Sequence, residues 1–241
     1  MGKEYDQITA FHYSAFRPSS HLQILKECLE KDDEYSFGLD VGCGTGHSSI
    51  ALTKFCKSVV GIDPSIEMLE KSIKHPRIEY RHYNPNHFDF PTDYFDIITF
   101  AGSLYYAKSQ QLLDEIIRVT KNASKVIIYD FEISLDAMIK KLNIECTLKP
   151  KSNYDHQVNF NGLNQNGIAL EMEFTKSFPI EISIENISHL LLSSKDNYNL
   201  MEESFGNNNL HHKISQKLHS IFKSETTLVE AKVYLTAYHT L

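Results

Sequence analysis

Apolar positions along the chain switch between two periods, and the switches mark its elements. From Phe37 to Val41 a short apolar run ends in glycine, and Ser48 to Phe55 then carries apolar residues at helical spacing, which predicts strand, loop and helix. The alternation recurs as strand Ser58 to Ile62, helix Ile66 to Ile73, strand Ile78 to Arg81, strand Phe95 to Phe100, helix Gln110 to Val119 and strand Lys125 to Phe131. Strands separated by helices require crossover connections, so the first part of the chain predicts a doubly wound α/β fold, mainly parallel with helices on both faces. After Ser134 the pattern changes. A helix from Leu135 to Leu142 leads into an asparagine-rich stretch, Asn153 to Asn166, with turn character. Ala169 to Ile182 is long and β-like, helices follow at Ile184 to Leu192 and Leu210 to Phe222, and Thr226 to Tyr238 closes as an alternating strand. Asn207 to Asn209 reads as a surface loop.

A length of 241 residues suits one α/β domain with an insertion and is short for two. The expected organisation is a single domain over 1–241, with lid helices in 1–30 and a variable, substrate-side region in 134–225. The formal charge of −7 and only four arginines (Arg17, Arg77, Arg81, Arg118) argue against nucleic acid as a partner, since phosphate binding needs clustered cations. Cys28, Cys43, Cys56 and Cys146 show no CxxC spacing, so a reduced interior with no metal is expected. No leader and no run of about 18 apolar residues is present, so the expected location is the cytoplasm, away from membranes, as a monomer or homodimer.

The chemistry concentrates in Gly38 to Leu52, GLDVGCGTGHSSIAL. Gly42, Gly44 and Gly46 sit between a buried strand and a helix start, where glycine lets backbone approach a ligand closely. A dinucleotide loop, GxGxxG, needs glycine where this chain has His47. Asp40, two residues before Gly42, would repel a pyrophosphate and suits a ligand carrying an ammonium group. Asp63 ends the next strand, seventeen residues after Gly46, and its carboxylate can accept from both hydroxyls of a ribose.

DVGCGTG followed by GIDPSIEML resembles the first two motifs of class I S-adenosylmethionine-dependent methyltransferases. Phe88 to Phe100, FDFPTDYFDIITF, resembles that family's approach to the fourth strand, and GSLYYA, Gly102 to Ala107, its substrate-facing continuation. Ala10 to Pro18 resembles the AxxYxxxRP opening of the trans-aconitate methyltransferase-like branch. These motifs cover about the first 131 residues; beyond them only the order of elements is similar. The resemblance implies a Rossmann-like, doubly wound sheet of seven strands in the order 3-2-1-4-5-7-6, the last antiparallel, with a helical insertion or lid.

It also implies S-adenosylmethionine as cofactor and S-adenosylhomocysteine as product. Gly42, Cys43 and Gly44 would meet the methionine portion by backbone, and Asp40 would hold its amino end through water. Asp63 would take the ribose, Pro64 and Met68 the adenine, and Asn84 or Asn86 the exocyclic amine, with Ala101 also lining the cofactor. Pro85 departs from the pattern, because it has no N–H to offer the ring. The lid helix would bring Tyr13 and Arg17 over the cofactor, Arg17 pairing with the methionine carboxylate or with an anionic substrate.

Methyl transfer is an in-line displacement at a sulfonium and needs alignment, water exclusion and sometimes a base. Tyr105 and Tyr106 line the acceptor pocket, donate to the substrate, or simply pack. His12 and His47 are the histidines worth testing as bases, and His12, Tyr13, Arg17, Tyr105 and Tyr106 are the candidates for the chemistry. The acceptor implied is a small molecule methylated on oxygen, nitrogen or carboxylate, bound between the lid, GSLYYA and the region after the fifth strand. Two alternatives stand beside it: a protein or RNA acceptor, and a cofactor-binding module without turnover.

Overall fold

The computed structural model describes residues 7–16, 20–83, 87–145 and 154–241. Arg17, Asn84, Pro85 and Asn86 lie outside them, and Tyr13 is described only as part of its helix. In chain order the elements are α1 (Gln7–Ala15), α2 (His21–Leu25), β1 (Tyr35–Val41), α3 (His47–Leu52), β2 (Cys56–Asp63), α4 (Ile66–Glu70), β3 (Ile78–His82), β4 (Phe95–Ala101) and α5 (Leu104–Ala107). There follow α6 (Gln110–Val119), β5 (Thr120–Ile133), α7 (Asp136–Lys141), β6 (Ile168–Ser183), α8 (Ile184–Leu192), α9 (Lys195–Phe205), α10 (Leu210–Phe222) and β7 (Thr226–Thr240).

The strands form one sheet in the order β3-β2-β1-β4-β5-β7-β6, as the resemblance implies. β1 pairs in parallel with β2 and β4, β2 with β3, and β4 with β5. β7 runs against its neighbours. The Ser134 N–H donates to the Glu230 carbonyl while that of Ser124 donates to Thr240 Oγ1, so residue numbers rise on one strand as they fall on the other. The order reverses between β1 and β4, which places their carboxyl ends side by side. In open α/β sheets that crevice is where ligands bind.

The chain divides into two compact units, where the sequence reads as one domain. A sheet unit comprises Ser19–Glu132, Asn153–Lys176 and Val233–Leu241, and a helical unit comprises Met1–Pro18, Ile133–Ser152 and Ser177–Lys232. The cut falls inside β5, β6 and β7, each of which is longer than the strand its pattern predicts. It also moves residues 153–176 out of the expected variable region into the sheet unit.

The core of the sheet unit is built on Leu39, Ile62, Phe95, Ile98, Phe100, Ile116 and Val126, all sealed from solvent. α6 shows how sequence dictates one wall of it. Ser109 caps the helix by accepting from the Leu112 N–H at 3.2 Å, and Leu112, Leu113, Ile116 and Val119 form its buried stripe. On the other side of that helix, Arg118 reaches the Phe88 and Phe90 carbonyls and bonds Glu115. The segment leading into β4 is thereby held to α6.

The helical unit has its own apolar cluster, including Met138, Ile139, Ile187, Leu191, Met201, Ile214 and Leu218. α9 was not predicted by the pattern, because asparagine and glutamate dominate KDNYNLMEESF. Its apolar face is carried by Tyr198, Met201 and Phe205, three and four residues apart, and Ser194 caps it by accepting from the Asn197 N–H. α2 and α5 are single turns, too short to show a period. Met201 has no exposed surface, so Met201→Ala is expected to cost about 2–5 kcal/mol, read as a lower urea midpoint for loss of helical signal.

Candidate active site

β1 ends at Val41 and the chain turns through Gly42-Cys43-Gly44-Thr45-Gly46 into α3. The Gly42 and Cys43 N–H groups both donate to the Ile62 carbonyl, at 2.8 and 3.0 Å, which fastens the loop to β2. Gly42 and Gly46 are fixed by protein atoms. A Cβ on Gly42, at φ +72°, would lie 2.4 Å from Ser103 Cβ, and one on Gly46, at φ +90°, 2.0 Å from the Tyr80 hydroxyl. Gly44 differs. Its φ is +54°, yet a Cβ there would meet nothing within 4 Å, so the loop presents bare backbone to open space at this residue.

Asp63, at the end of β2, faces the same residue. One carboxylate oxygen accepts the Gly44 N–H at 2.8 Å and the other the Ser65 N–H at 2.8 Å. A carboxylate has about four lone-pair sites, so acceptor capacity remains for a diol. Pro64 and Met68 follow on the surface, with Met68 45 % exposed, beside Ile66, also exposed. Exposed apolar side chains next to a hydrogen-bonding carboxylate suit a flat heterocycle attached to a sugar.

Asp40 is fully buried. One oxygen accepts from Ser48 Oγ and Ser49 Oγ, both at 2.6 Å, and the other from Thr99 Oγ1 at 3.0 Å. Burial drives its pKa up, against the pull of these three hydroxyls, and the Asp63 charge adds to the rise. The carboxylate is sealed from solvent and has a positioning role. It ties β1 and β4 to the start of α3. Cys43 is buried, and burial followed by the charges of Asp40 and Asp63 raises its thiol pKa far above the ordinary value, which leaves it inert.

Beyond β4 lies a second polar group of side chains. The register Ala101↔Tyr129 sets Asp130 beside Gly102, and the Gly102 N–H donates to the Tyr129 carbonyl. Tyr154 donates its hydroxyl to Asp130 Oδ2 at 2.8 Å and lies 3.0 Å from the Gly102 carbonyl. His156 Nδ1 lies 2.9 Å from the same Asp130 oxygen, its Nε2 is 4.0 Å from Glu132, and its ring stacks on Tyr234. Tyr234 in turn donates to Glu132 at 2.5 Å. Burial alone would lower the His156 pKa, but the hydrogen bond and charge of Asp130, helped by Glu132, outweigh it and raise the value above 6.5. The rings of Tyr105 and Tyr106, 37 % and 76 % exposed, lie 4.5 and 5.8 Å from that of Tyr154. They border this polar group and are not core.

Residues 39–128 match the methyltransferase domain family. Over this segment the chain is similar to class I S-adenosylmethionine-dependent methyltransferases. A Dictyostelium discoideum protein named as a methyltransferase is 28 % identical over 123 residues, 49 % of this chain and 46 % of its own. A demethylmenaquinone methyltransferase of Clavibacter sepedonicus is 34 % identical over 98 residues, 39 % of this chain and 40 % of its own. The chain thus matches less than half the length of these relatives. A protein from Anaeromyxobacter dehalogenans described as a type II methyltransferase superposes with a TM-score of 0.66 over 92 % of this chain and 97 % of its own. At 15 % identity it shows the fold alone. None of these names the trans-aconitate branch.

Gly42, Cys43 and Gly44 lie in the loop, Asp63 bonds to Gly44, Pro64 and Met68 follow Asp63 along the chain, and Ala101 ends the neighbouring strand. His47 stands exposed at the first position of α3. His12 belongs to the helical unit, where its ring packs on His189 and His211. Burial, then the charges of those two histidines, lower its pKa to about 4. Sequence reading missed Asp130, Tyr154, His156 and Tyr234. Asp130 carried the one available signal, an acidic residue at the carboxyl end of a predicted parallel strand. The others come from the loop stretch and from the closing strand.

Two outcomes follow for this site. Asp40→Ala leaves three buried hydroxyls without their acceptor and is expected to cost roughly 2–5 kcal/mol in urea unfolding, with a smaller loss for Asp40→Asn. Because the folded pKa of His156 is raised, its pairing with Asp130 contributes stability fully below the unfolded value of about 6.5, and loses it as pH climbs through the folded value. Titration of the His156 ring by NMR should give a midpoint above 6.5, and Asp130→Asn should lower it.

Proposed function

We propose that this chain transfers the methyl group of S-adenosylmethionine to a small-molecule acceptor that gives up a proton, a hydroxyl or an amine. The observation that carries the reading is the Gly44–Asp63 pair. Backbone with open space before it lies against a carboxylate oriented by two N–H donors with acceptor capacity left over. These residues fit the cofactor: Gly42, Cys43 and Gly44 would meet its methionine portion, Asp63 the ribose, and Pro64 and Met68 the adenine. When bound, the cofactor supplies a sulfonium methyl group open to in-line displacement. Tyr13, Arg17, Asn84, Asn86 and Ala101 remain assigned to the cofactor by family resemblance.

On the acceptor side, Asp130 fixes His156 through Nδ1, leaving Nε2 as the nitrogen that can receive a proton. Tyr154 braces the same carboxylate against the Gly102 carbonyl, so His156 is held as a base whose tautomer and orientation are set by its partner. Tyr105 and Tyr106 offer an aromatic border to the bound molecule. The low arginine count and the acidic formal charge favour a small acceptor over RNA.

Calorimetry with S-adenosylhomocysteine is expected to show binding, weakened about 10–100-fold by Asp63→Ala through loss of charge-assisted hydrogen bonds. No binding by the native chain, or none of this loss in the variant, would overturn the reading. Once a labelled-methyl screen over metabolite extracts has yielded an acceptor, the rate should rise with pH as His156 deprotonates, at a midpoint above 6.5. His156→Gln should abolish that limb while leaving S-adenosylhomocysteine binding intact.

A further inference from the structure

Three helices of the helical unit bring imidazoles to one spot. Glu185 and His189 are four residues apart on α8 and so share a face, and His211 stands at the second position of α10. One ligand atom from each of Glu185, His189 and His211 can be chosen so that all three lie within 4.8 Å of one another. His12 on α1 lies beside them, its Nδ1 2.9 Å from His189 Nδ1. The ring centroids of His12, His189 and His211 lie 4.1 to 5.6 Å apart.

Two details separate this cluster from ordinary histidine packing. His211 Nε2 is buried and, among the described residues, has no hydrogen-bond partner, a position that costs free energy unless something accepts or donates there. Glu185 is oriented from the opposite helix, its second oxygen accepting from Ser215 Oγ at 2.9 Å while the first lies 3.5 Å from His211 Nδ1. A carboxylate braced in this way, beside imidazoles, is how metal ligands are commonly held.

We propose that Glu185, His189 and His211 bind Zn²⁺ or a similar first-row divalent cation, with a water at the fourth position. Two imidazole nitrogens and one carboxylate oxygen suit a borderline ion of tetrahedral preference. Donors on one such ion sit about 3.3 Å apart, so the observed spacings need side-chain shifts of about an ångström. The site stands apart from the methyl-transfer reading, since none of its residues belongs to the Gly44–Asp63 pair or to the Asp130 group.

The test uses the full chain without a polyhistidine tag, stripped with a chelator and dialysed. Titration with Zn²⁺ by calorimetry is expected to show one ion per chain, and Co²⁺ to give the strong visible absorption of a tetrahedral site. Thermal unfolding should shift upward with Zn²⁺. His189→Gln with His211→Gln should weaken Zn²⁺ about a hundredfold or more, whereas His212→Gln, next along the helix and exposed, should not. The proposal is overturned if the native chain binds no stoichiometric Zn²⁺, or if the double variant, folded by circular dichroism, binds it equally well. Should the double variant fail to fold, the native Co²⁺ spectrum decides: absorption of an octahedral, solvent-like ion overturns the site.

Discussion

A carboxylate sealed from water holds the catalytic end of the sheet together. Asp40 accepts three hydroxyl hydrogen bonds, two from the first turn of α3 and one from β4, so a single buried group joins a strand, its neighbour and the following helix. Burying such a group is costly unless it is well bonded, and here the bonds are short and come from residues that only this fold brings together. The angle at which α3 leaves β1 is set by that arrangement. The direction of the Gly44 N–H toward Asp63 follows from it.

The sheet unit was legible because its signals are local. β1, β2 and β4 are short apolar runs, and α6 shows a clear buried stripe, so the alternation of strands and helices could be read locally, while the order of the strands came from the family resemblance. Asp63 was legible for the same reason, as an acidic residue at a strand end. Asp40 was found by position, but no spacing in the sequence says that Ser48, Ser49 and Thr99 will point at it. The Asp130, Tyr154 and His156 group was invisible, since it assembles residues 24 and 26 positions apart through a loop with no period.

The helical unit was harder to read for a different physical reason. In α9 the apolar stripe is thin and interrupted by asparagine, so tertiary packing of Tyr198 and Met201, more than intrinsic preference, decides that it is a helix. The histidines behave likewise. Twelve are scattered along the chain without ligand spacing, and only helix packing brings His12, His189 and His211 together, the last two beside Glu185. Division into two units is likewise hidden, because β5, β6 and β7 carry residues of both and their hydrophobic pattern does not change at the crossing.

β6 forms one border of the sheet for sixteen residues, most of them exposed, and bears Leu170 and Met172 on its surface. A border of that length is a template on which other extended chains could align and grow. Its composition resists this: Glu171, Glu173, Lys176 and Glu181 put charge along it, and Pro179 withholds an N–H from any incoming strand. Replacing those few residues by valine or threonine would bare the border to other extended chains while leaving the Gly44–Asp63 bond untouched.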